Sequence, residues 1–331
     1  MKPRVLVTHP LVEGGLSSLE PRCELLVAPG IATTEALGRA LQEVDALICL
    51  LTVPVTDDVL AAAHRLRVVA NYAVGYDNID VAAATRRGIW VCNTPGVLTE
   101  ATADLTWAAL LAVTRRVVEG DRLVRSGQFV GWGPTLLLGT ELSGKVLGIL
   151  GFGAIGQAVA RRAAGFGLTV LYAERPSLPS SFDLGGTFAH AAPFEELLSR
   201  SDILSIHAPL TPETRHLLDA RALGRMKRTA YLINTGRGPV VDEVALARAL
   251  AAGELAGAAL DVYEREPALA GGLADLPNVV LLPHLGSATF ETRRRMAELA
   301  AANVRAVLEG RVPPAAVNGA ALAASCGPEP G

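Results

Sequence analysis

Residues Val146–Glu174 read VLGILGFGAIGQAVARRAAGFGLTVLYAE, the clearest structural signal in the chain. An apolar run passes through G-x-G-x-x-G at Gly151, Gly153 and Gly156, then continues at helical spacing through Ile155, Val159 and Ala163. A second apolar run, Leu168–Tyr172, ends at the acidic Glu174. The order is strand, tight glycine turn, helix, strand, acid, and each part has a task in holding a dinucleotide. Gly151 permits the sharp turn, Gly153 lets the backbone approach a pyrophosphate, and Gly156 lets helix and sheet pack closely. The helix that follows aims its first-turn N–H groups and positive dipole end at the phosphates. Glu174 stands where a carboxylate accepts hydrogen bonds from ribose hydroxyls. With 33 glycines in the chain, the motif alone would carry little. The complete βαβ setting gives it weight.

The surrounding chain fits an α/β protein. Its 331 residues suffice for two domains with separate cores. Half are hydrophobic and only 19% are charged, a composition that suits buried parallel sheets. No apolar run is long enough to span a bilayer, and the N-terminus MKPRVLVTHP enters a strand-like segment directly, so no secretory leader is expected. A net charge of −3 without a long basic block speaks against nucleic acid as a partner. Cys23, Cys49, Cys92 and Cys326 show no C-x-x-C spacing, so a reduced, cytoplasmic protein is expected.

From Arg4 to Leu98 the apolar runs RVLVTH, CELLVA, ALICLLT, RVVANYA and IWVCNT predict five short buried strands. Helices are predicted between them at Leu11–Leu19, Thr33–Val44, Thr56–Leu66 and Asp80–Arg87, with Thr56 as an N-cap before Asp57 and Asp58. Thr99–Val118 reads as one long helix capped by Thr99. Glu119–Thr140 is glycine-rich and irregular, with Phe129 and Trp132 within it. It is either a functional arm or a strap on its own surface. After the glycine motif, DILSIHAP, AYLINTG, GAALDVY and NVVLLPH extend the second sheet to six or so parallel strands. Thr289–Leu308 reads as a further helix with Gly310 just past its end, and the tail from Ala315 to Gly331 is expected to fray. Helices 99–118 and 289–308 bracket the dinucleotide unit, so the chain enters that domain by one and leaves by the other. The expected organisation is a substrate domain over 1–98 plus 288–318, a dinucleotide domain over 99–287 with an arm at about 119–140, and a flexible tail over 319–331. Both are doubly wound parallel sheets, and a cleft lined from both sides follows from that layout.

Three polar residues follow predicted strands of the second domain. Arg237 lies between glycines in NTGRGPVVDE and is placed to fork around a carboxylate. Glu266 stands in DVYEREP before Pro267, and His284 follows Pro283 in LLPHLGSAT. Taken singly, each is more simply a loop residue. Together they supply the substrate anchor, the proton donor and the tuning carboxylate that a nicotinamide-dependent reaction needs. A carboxylate touching an imidazolium stabilises its charged form, as a general acid requires.

The motifs VGYDNIDVAAATRRGIWVCNTPGVLTEATADLT, GILGFGAIGQAVARR, HAPLTPETRHLL, LINTGRGPVVDEVAL, AALDVYEREP and LPHLGSAT stand in order between about Arg4 and Asn318. In these the chain resembles the NAD(P)-dependent D-2-hydroxyacid dehydrogenases, most closely their glyoxylate/hydroxypyruvate reductase branch. The resemblance implies a Rossmann-type domain inserted in a flavodoxin-like one. It also implies that NAD(P)H reduces a short 2-oxo acid, with Arg237 binding its carboxylate, His284 as acid/base and Glu266 as its partner. Asp261 would hold the nicotinamide carboxamide. Thr102, Pro209, Thr235 and Gly236 would contact the cofactor, together with Gly151, Gly153, Ala154, Ile155 and Gly156. Leu51, Val74 and Gly75 would meet the substrate, the last two through backbone amides. For the arm the resemblance implies a homodimer in which Trp132 enters the partner's cleft. Glu174 favours NAD, while the adjacent Arg175 could receive the phosphate of NADP. No metal is expected, and the other histidines match no catalytic position.

Two other readings are open to test. CELL, RSGQFVGW and GILGFGAIG are also similar to phosphite dehydrogenase, in which a lysine for phosphite stands at the position of Val74. A non-catalytic dinucleotide-sensing protein of the corepressor kind would use the same scaffold.

Overall fold

The structure, a computed structural model, describes residues 2–31 and 33–325. The chain divides into two compact units, Met1–Leu98 with Ala288–Gly331 and Thr99–Ser287.

The first unit is built on five parallel strands: β1 (Arg4–Val7), β2 (Glu24–Val27), β3 (Ala46–Cys49), β4 (Val68–Asn71) and β5 (Trp90–Cys92). Their order is β2-β1-β3-β4-β5, that of flavodoxin-like sheets. Side chains alternate between two apolar layers because successive residues of a strand face opposite ways. Leu6, Leu47, Val69 and Val91 pack with Leu37, Val59 and Ala83 of the short helices. Val5, Ile48, Val68 and Ala70 pack with Ala300, Ala301 and Val304 of helix Phe290–Leu308. Both faces are covered, so these strands read as continuous apolar runs rather than alternating ones.

The second unit carries eight strands: β6 (Val146–Leu150), β7 (Thr169–Ala173), β8 (Ser181–Asp183), β9 (Phe188–Ala192), β10 (Ile203–Ile206), β11 (Tyr231–Asn234), β12 (Gly257–Leu260) and β13 (Val279–Leu281). The order is β13-β12-β11-β10-β6-β7-β9-β8, with only β8 antiparallel. Chain order reverses between β6 and β10, the switch point at which doubly wound sheets bind dinucleotides. Helix Thr99–Thr114 covers one face, where the Trp107 indole donates to the Val159 carbonyl at 3.0 Å. Leu197, Leu198, Leu246 and Leu250 fill the other face.

Several sequence expectations are corrected. The sheet has two more strands than six because SFD is too short and FAHAA too alanine-rich to signal themselves. The predicted helix Leu11–Leu19 is a chain of turns, interrupted at Gly14 (φ +76) and Gly15. Thr56 occupies an N-cap but makes no side-chain cap bond. The long helix stops at Thr114, and Arg116 adopts the left-handed region (φ +53) before a second helix, Val117–Arg125. That second helix takes the start of the arm expected to be irregular, aided by the Asp121–Arg125 ion pair at 2.8 Å. Thr99 is the first helical residue rather than the cap.

The tail is not frayed over residues 315–325. Asn318 is buried, accepting from the Val91 amide at 2.9 Å and donating to the Ile89 carbonyl at 3.0 Å. Ala316 bridges Cys92, so this segment covers the free edge of β5. Gly319–Ser325 forms a helix. The remainder of the expected tail, and Cys326, lie outside the described residues.

Candidate active site

The glycine turn of the second unit divides its labour three ways. Gly151 has φ +96, and a Cβ there would overlap the Ala208 amide, so only glycine lets the chain leave β6 alongside β10. A Cβ on Gly156 would overlap the Gly151 carbonyl, which fixes the closeness of helix Ala154–Arg162 to the strand. Gly153 differs. Its backbone is extended (φ −81, ψ −163) and a Cβ would meet no protein atom within 4 Å. Nothing in the protein requires a glycine there, whereas a ligand lying against the backbone would. Beside this turn the His207 Nδ1 is buried without a partner among the described residues, while Nε2 meets the Ser205 hydroxyl at 2.8 Å. Burial holds this imidazole neutral, pushed down to about 3. The residues therefore suit a dinucleotide.

These observations separate two substitutions. Gly153→Ala leaves the thermal midpoint unchanged but weakens NADH binding about tenfold, or ~1.4 kcal/mol. Gly156→Ala costs about 1–3 kcal/mol of stability through overpacking. Calorimetric melting and NADH titration of both variants check this, and equal loss of stability in the two would contradict it.

Around the turn, Ala154 is exposed and Ile155 half-buried at the helix start. Glu174 and Arg175 are both exposed directly beyond β7. The Pro209 carbonyl accepts from the Thr214 hydroxyl at 2.7 Å. Thr102 and Thr235 are buried. Thr235 is held by Thr106, hydroxyl to hydroxyl at 2.8 Å, a partner that sequence reading did not identify. Gly236 donates its amide to the Asn234 side chain at 3.1 Å.

The three expected catalytic residues all belong to this unit. His284 follows β13 with φ +55, a conformation uncommon outside glycine and one that clusters at functional sites. Its Nδ1 lies 3.0 and 3.2 Å from the Glu266 carboxylate oxygens, so Nε2 is the nitrogen that can serve a substrate. The two side chains are 29% and 27% exposed, open enough to be reached. Burial pushes the Glu266 carboxyl up, but the hydrogen bond and charge of His284 outweigh it, and the group is held below its ordinary value. Arg237 adds to that lowering through its charge. Its Nη1 donates to the Gly236 carbonyl at 3.0 Å. The Arg237 turn is pressed against the Glu266 loop, since a Cβ on Gly238 would overlap the Tyr263 backbone. The Tyr263 hydroxyl in turn donates to the Leu282 carbonyl at 2.8 Å, tying that loop to the strand end before His284.

Asp261 has a structural task that sequence reading missed. It is buried and accepts from the Leu285 and Gly286 amides at 2.6 and 2.8 Å. It thereby clamps the turn after His284. Burial raises its carboxyl, opposed by those two bonds.

In the first unit, Val74 and Gly75 follow β4, and Leu51 is half-buried after β3. Asn93 donates to the Val74 carbonyl at 2.8 Å and Asn71 to the Gly75 carbonyl at 2.7 Å. A trans peptide sets its N–H opposite its C=O, so the amides of Gly75 and Tyr76 point away from these asparagines. That orientation makes them available to an anion. Asparagines directly at the ends of apolar runs, Asn71 and Asn93, were the available sequence signal. On the arm, Trp132 is 85% exposed. Among the described residues no helix is long and apolar enough to cross a membrane, and no cluster of His, Cys, Asp and Glu could hold a metal.

Residues 107–286 match the model of the D-isomer specific 2-hydroxyacid dehydrogenase, NAD binding domain. The chain is 50% identical to a glyoxylate reductase of Thermococcus litoralis, over 98% of this chain and 99% of the relative. Among solved structures it is similar to a protein from Thermus thermophilus at 47% identity and TM-score 0.88, covering 95% and 99% of the two chains. It is also similar to an NADPH-dependent glyoxylate/hydroxypyruvate reductase of Sinorhizobium meliloti, solved with NADP and malonate. That match has 33% identity and TM-score 0.85, covering 96% and 97%.

Proposed function

The chain belongs to the D-isomer-specific 2-hydroxyacid dehydrogenases, and on that premise we propose that it reduces a short 2-oxo acid, of the glyoxylate or hydroxypyruvate type, to the D-2-hydroxy acid. The observation that carries the proposal is the bonded His284–Glu266 pair with the Arg237 turn packed against it. When bound, the nicotinamide cofactor supplies the hydride that C2 receives.

The protein's own residues do the rest. Arg237 forks around the carboxylate and draws charge toward the carbonyl oxygen. Val74 and Gly75, through their backbone amides, are assigned to the substrate side. His284, protonated and held by Glu266, gives its Nε2 proton to the carbonyl oxygen as C2 becomes tetrahedral. In oxidation the neutral imidazole takes the proton back. Asp261 fixes the His284 turn and keeps acceptor capacity for a carboxamide, since an ionised carboxylate has about four acceptor sites. Thr102 and Thr235 are assigned to the cofactor side.

NADH is the favoured cofactor and NADPH an accepted one. A carboxylate at Glu174 repels a 2′-phosphate and Arg175 attracts it. The test is consumption of NADH and NADPH, side by side, with glyoxylate, hydroxypyruvate, larger 2-oxo acids and, in the oxidative direction, phosphite. The expected result is turnover of the first two acids and none of phosphite. No turnover of any short 2-oxo acid with either cofactor refutes the proposal and favours the sensing protein.

The arm suits a homodimer, with Val130 99% exposed and Phe129 and Leu138 also open to solvent. Sedimentation should give a dimer, and Trp132→Ala should raise KM for the oxo acid while NADH binding holds. A monomer with unaltered KM in the variant would remove this part. A reducing cytoplasmic setting suits Cys49 and Cys92, whose burial pushes both thiols up to about 12.

A further inference from the structure

A second pocket lies wholly within the first unit. It is a cavity of about 350 Å³, within the range of small-ligand sites. Arg65, Arg67, Arg87 and Arg311 line it, with Trp90 and Val312 among its apolar parts. The segment through Arg67 leads into β4 and that through Arg87 into β5, while Arg311 lies just beyond helix Phe290–Leu308. The pocket therefore sits at the amino-terminal edge of the sheet. The Val74–Gly75 loop follows the other end of β4, roughly 13 Å along the strand. It is a separate site.

The charged residues of its wall are all basic. Arg65 pairs with Asp45 at 3.0 Å, Arg87 with Asp57 at 2.5 Å, and Arg311 with Glu309. Arg67 donates to the Val307 and Leu308 carbonyls at 2.7 and 3.3 Å, at the end of the long helix. None of the three carboxylates belongs to the pocket wall, which holds four guanidinium groups and no acid. The Arg87–Asp57 and Arg311–Glu309 pairs are partly exposed, and ion pairs open to water contribute little to stability. An oxyanion entering the cavity can therefore share these guanidinium groups at little loss, and Arg's planar fork matches phosphate oxygens. Val312, 72% exposed, and the half-buried Trp90 offer an apolar surface beside that charge.

We propose that this pocket binds an organic phosphate, its phosphate oxygens on the arginines and its apolar or aromatic body against Trp90 and Val312. The site shares no residue with the dinucleotide turn.

The test is isothermal titration of inorganic pyrophosphate and of ATP into the full chain, with and without saturating NADH. The expected result with NADH present is one saturable site per chain for ATP, weaker for pyrophosphate. Arg87→Gln with Arg311→Gln should lower ATP affinity at least tenfold, and Arg311→Gln alone, at a 59% exposed side chain, should lower it measurably. Val312→Ser should weaken ATP and leave pyrophosphate unchanged. Absence of a saturable site in the NADH-bound wild type overturns the proposal, as does a double variant that binds ATP like the wild type. Because the pocket variants are compared in both states, failure of NADH to bind would be seen separately in its own titration.

Discussion

Replacing His284 with alanine lowers kcat for glyoxylate reduction about 10²–10⁴-fold and leaves NADH binding unchanged. The imidazole has one nitrogen on a carboxylate and the other available to a substrate oxygen, the arrangement a general acid needs. Water can still protonate the product alkoxide in the variant, which is why activity does not vanish. Stability should hold, because the left-handed conformation at position 284 is maintained by Asp261 through the next two amides rather than by the imidazole. A companion variant, Glu266→Gln, tests the pairing. The neutral amide no longer balances a positive imidazolium, so the reductive rate should fall while NADH binding holds.

The sign for Glu266 itself follows from its lowered folded-state value. Its ionised form contributes stability above the ordinary carboxylate range, and that contribution is lost as pH falls through the lowered value. Rapid-mixing and steady-state rates across pH would check both variants. An unaltered reductive rate in Glu266→Gln, or an alanine variant within tenfold of wild type, would remove His284 from the proton transfer.

The second large effect is at Arg237. Alanine there should reduce kcat/KM for glyoxylate about 10²–10³-fold, since a positive donor aimed at a developing oxyanion contributes on that scale. Lysine should recover only part, because it keeps the charge and loses the fork. The local backbone should survive, since Gly238, not the guanidinium, sets how the turn meets Tyr263. NADH affinity that falls as far as kcat/KM would instead place Arg237 on the cofactor. KM and kcat measured separately, with NADH binding as the control, distinguish the cases.

How much of this was legible in the residue order varies with the range of the interaction involved. Gly151, Gly153 and Gly156 announced a turn because glycine spacing, strand and helix lie within one local unit. Arg237, Glu266 and His284 could be named as candidates from their places after apolar runs. Their bonding could not, nor could the use of Asp261 as a clamp, since nothing in a carboxylate's neighbours in sequence tells which amides will reach it. The misplaced helix boundary at Arg116 has the same origin. Val113 through Val118 keep helical spacing, yet the chain adopts a left-handed residue there.

Residue order by itself determined the two doubly wound sheets, the dinucleotide turn and the identity of the polar groups beside it. Those depend on periodicity and on glycine's missing side chain, both local properties. Only the tertiary structure decided that Asn71 and Asn93 hold the carbonyls of Gly75 and Val74, that residues 315–318 cover β5, and that four arginines share one pocket with no acid in its wall. Each of those is a meeting of segments far apart in the chain, and hydrogen-bond direction and like-charge crowding exist only once the segments meet.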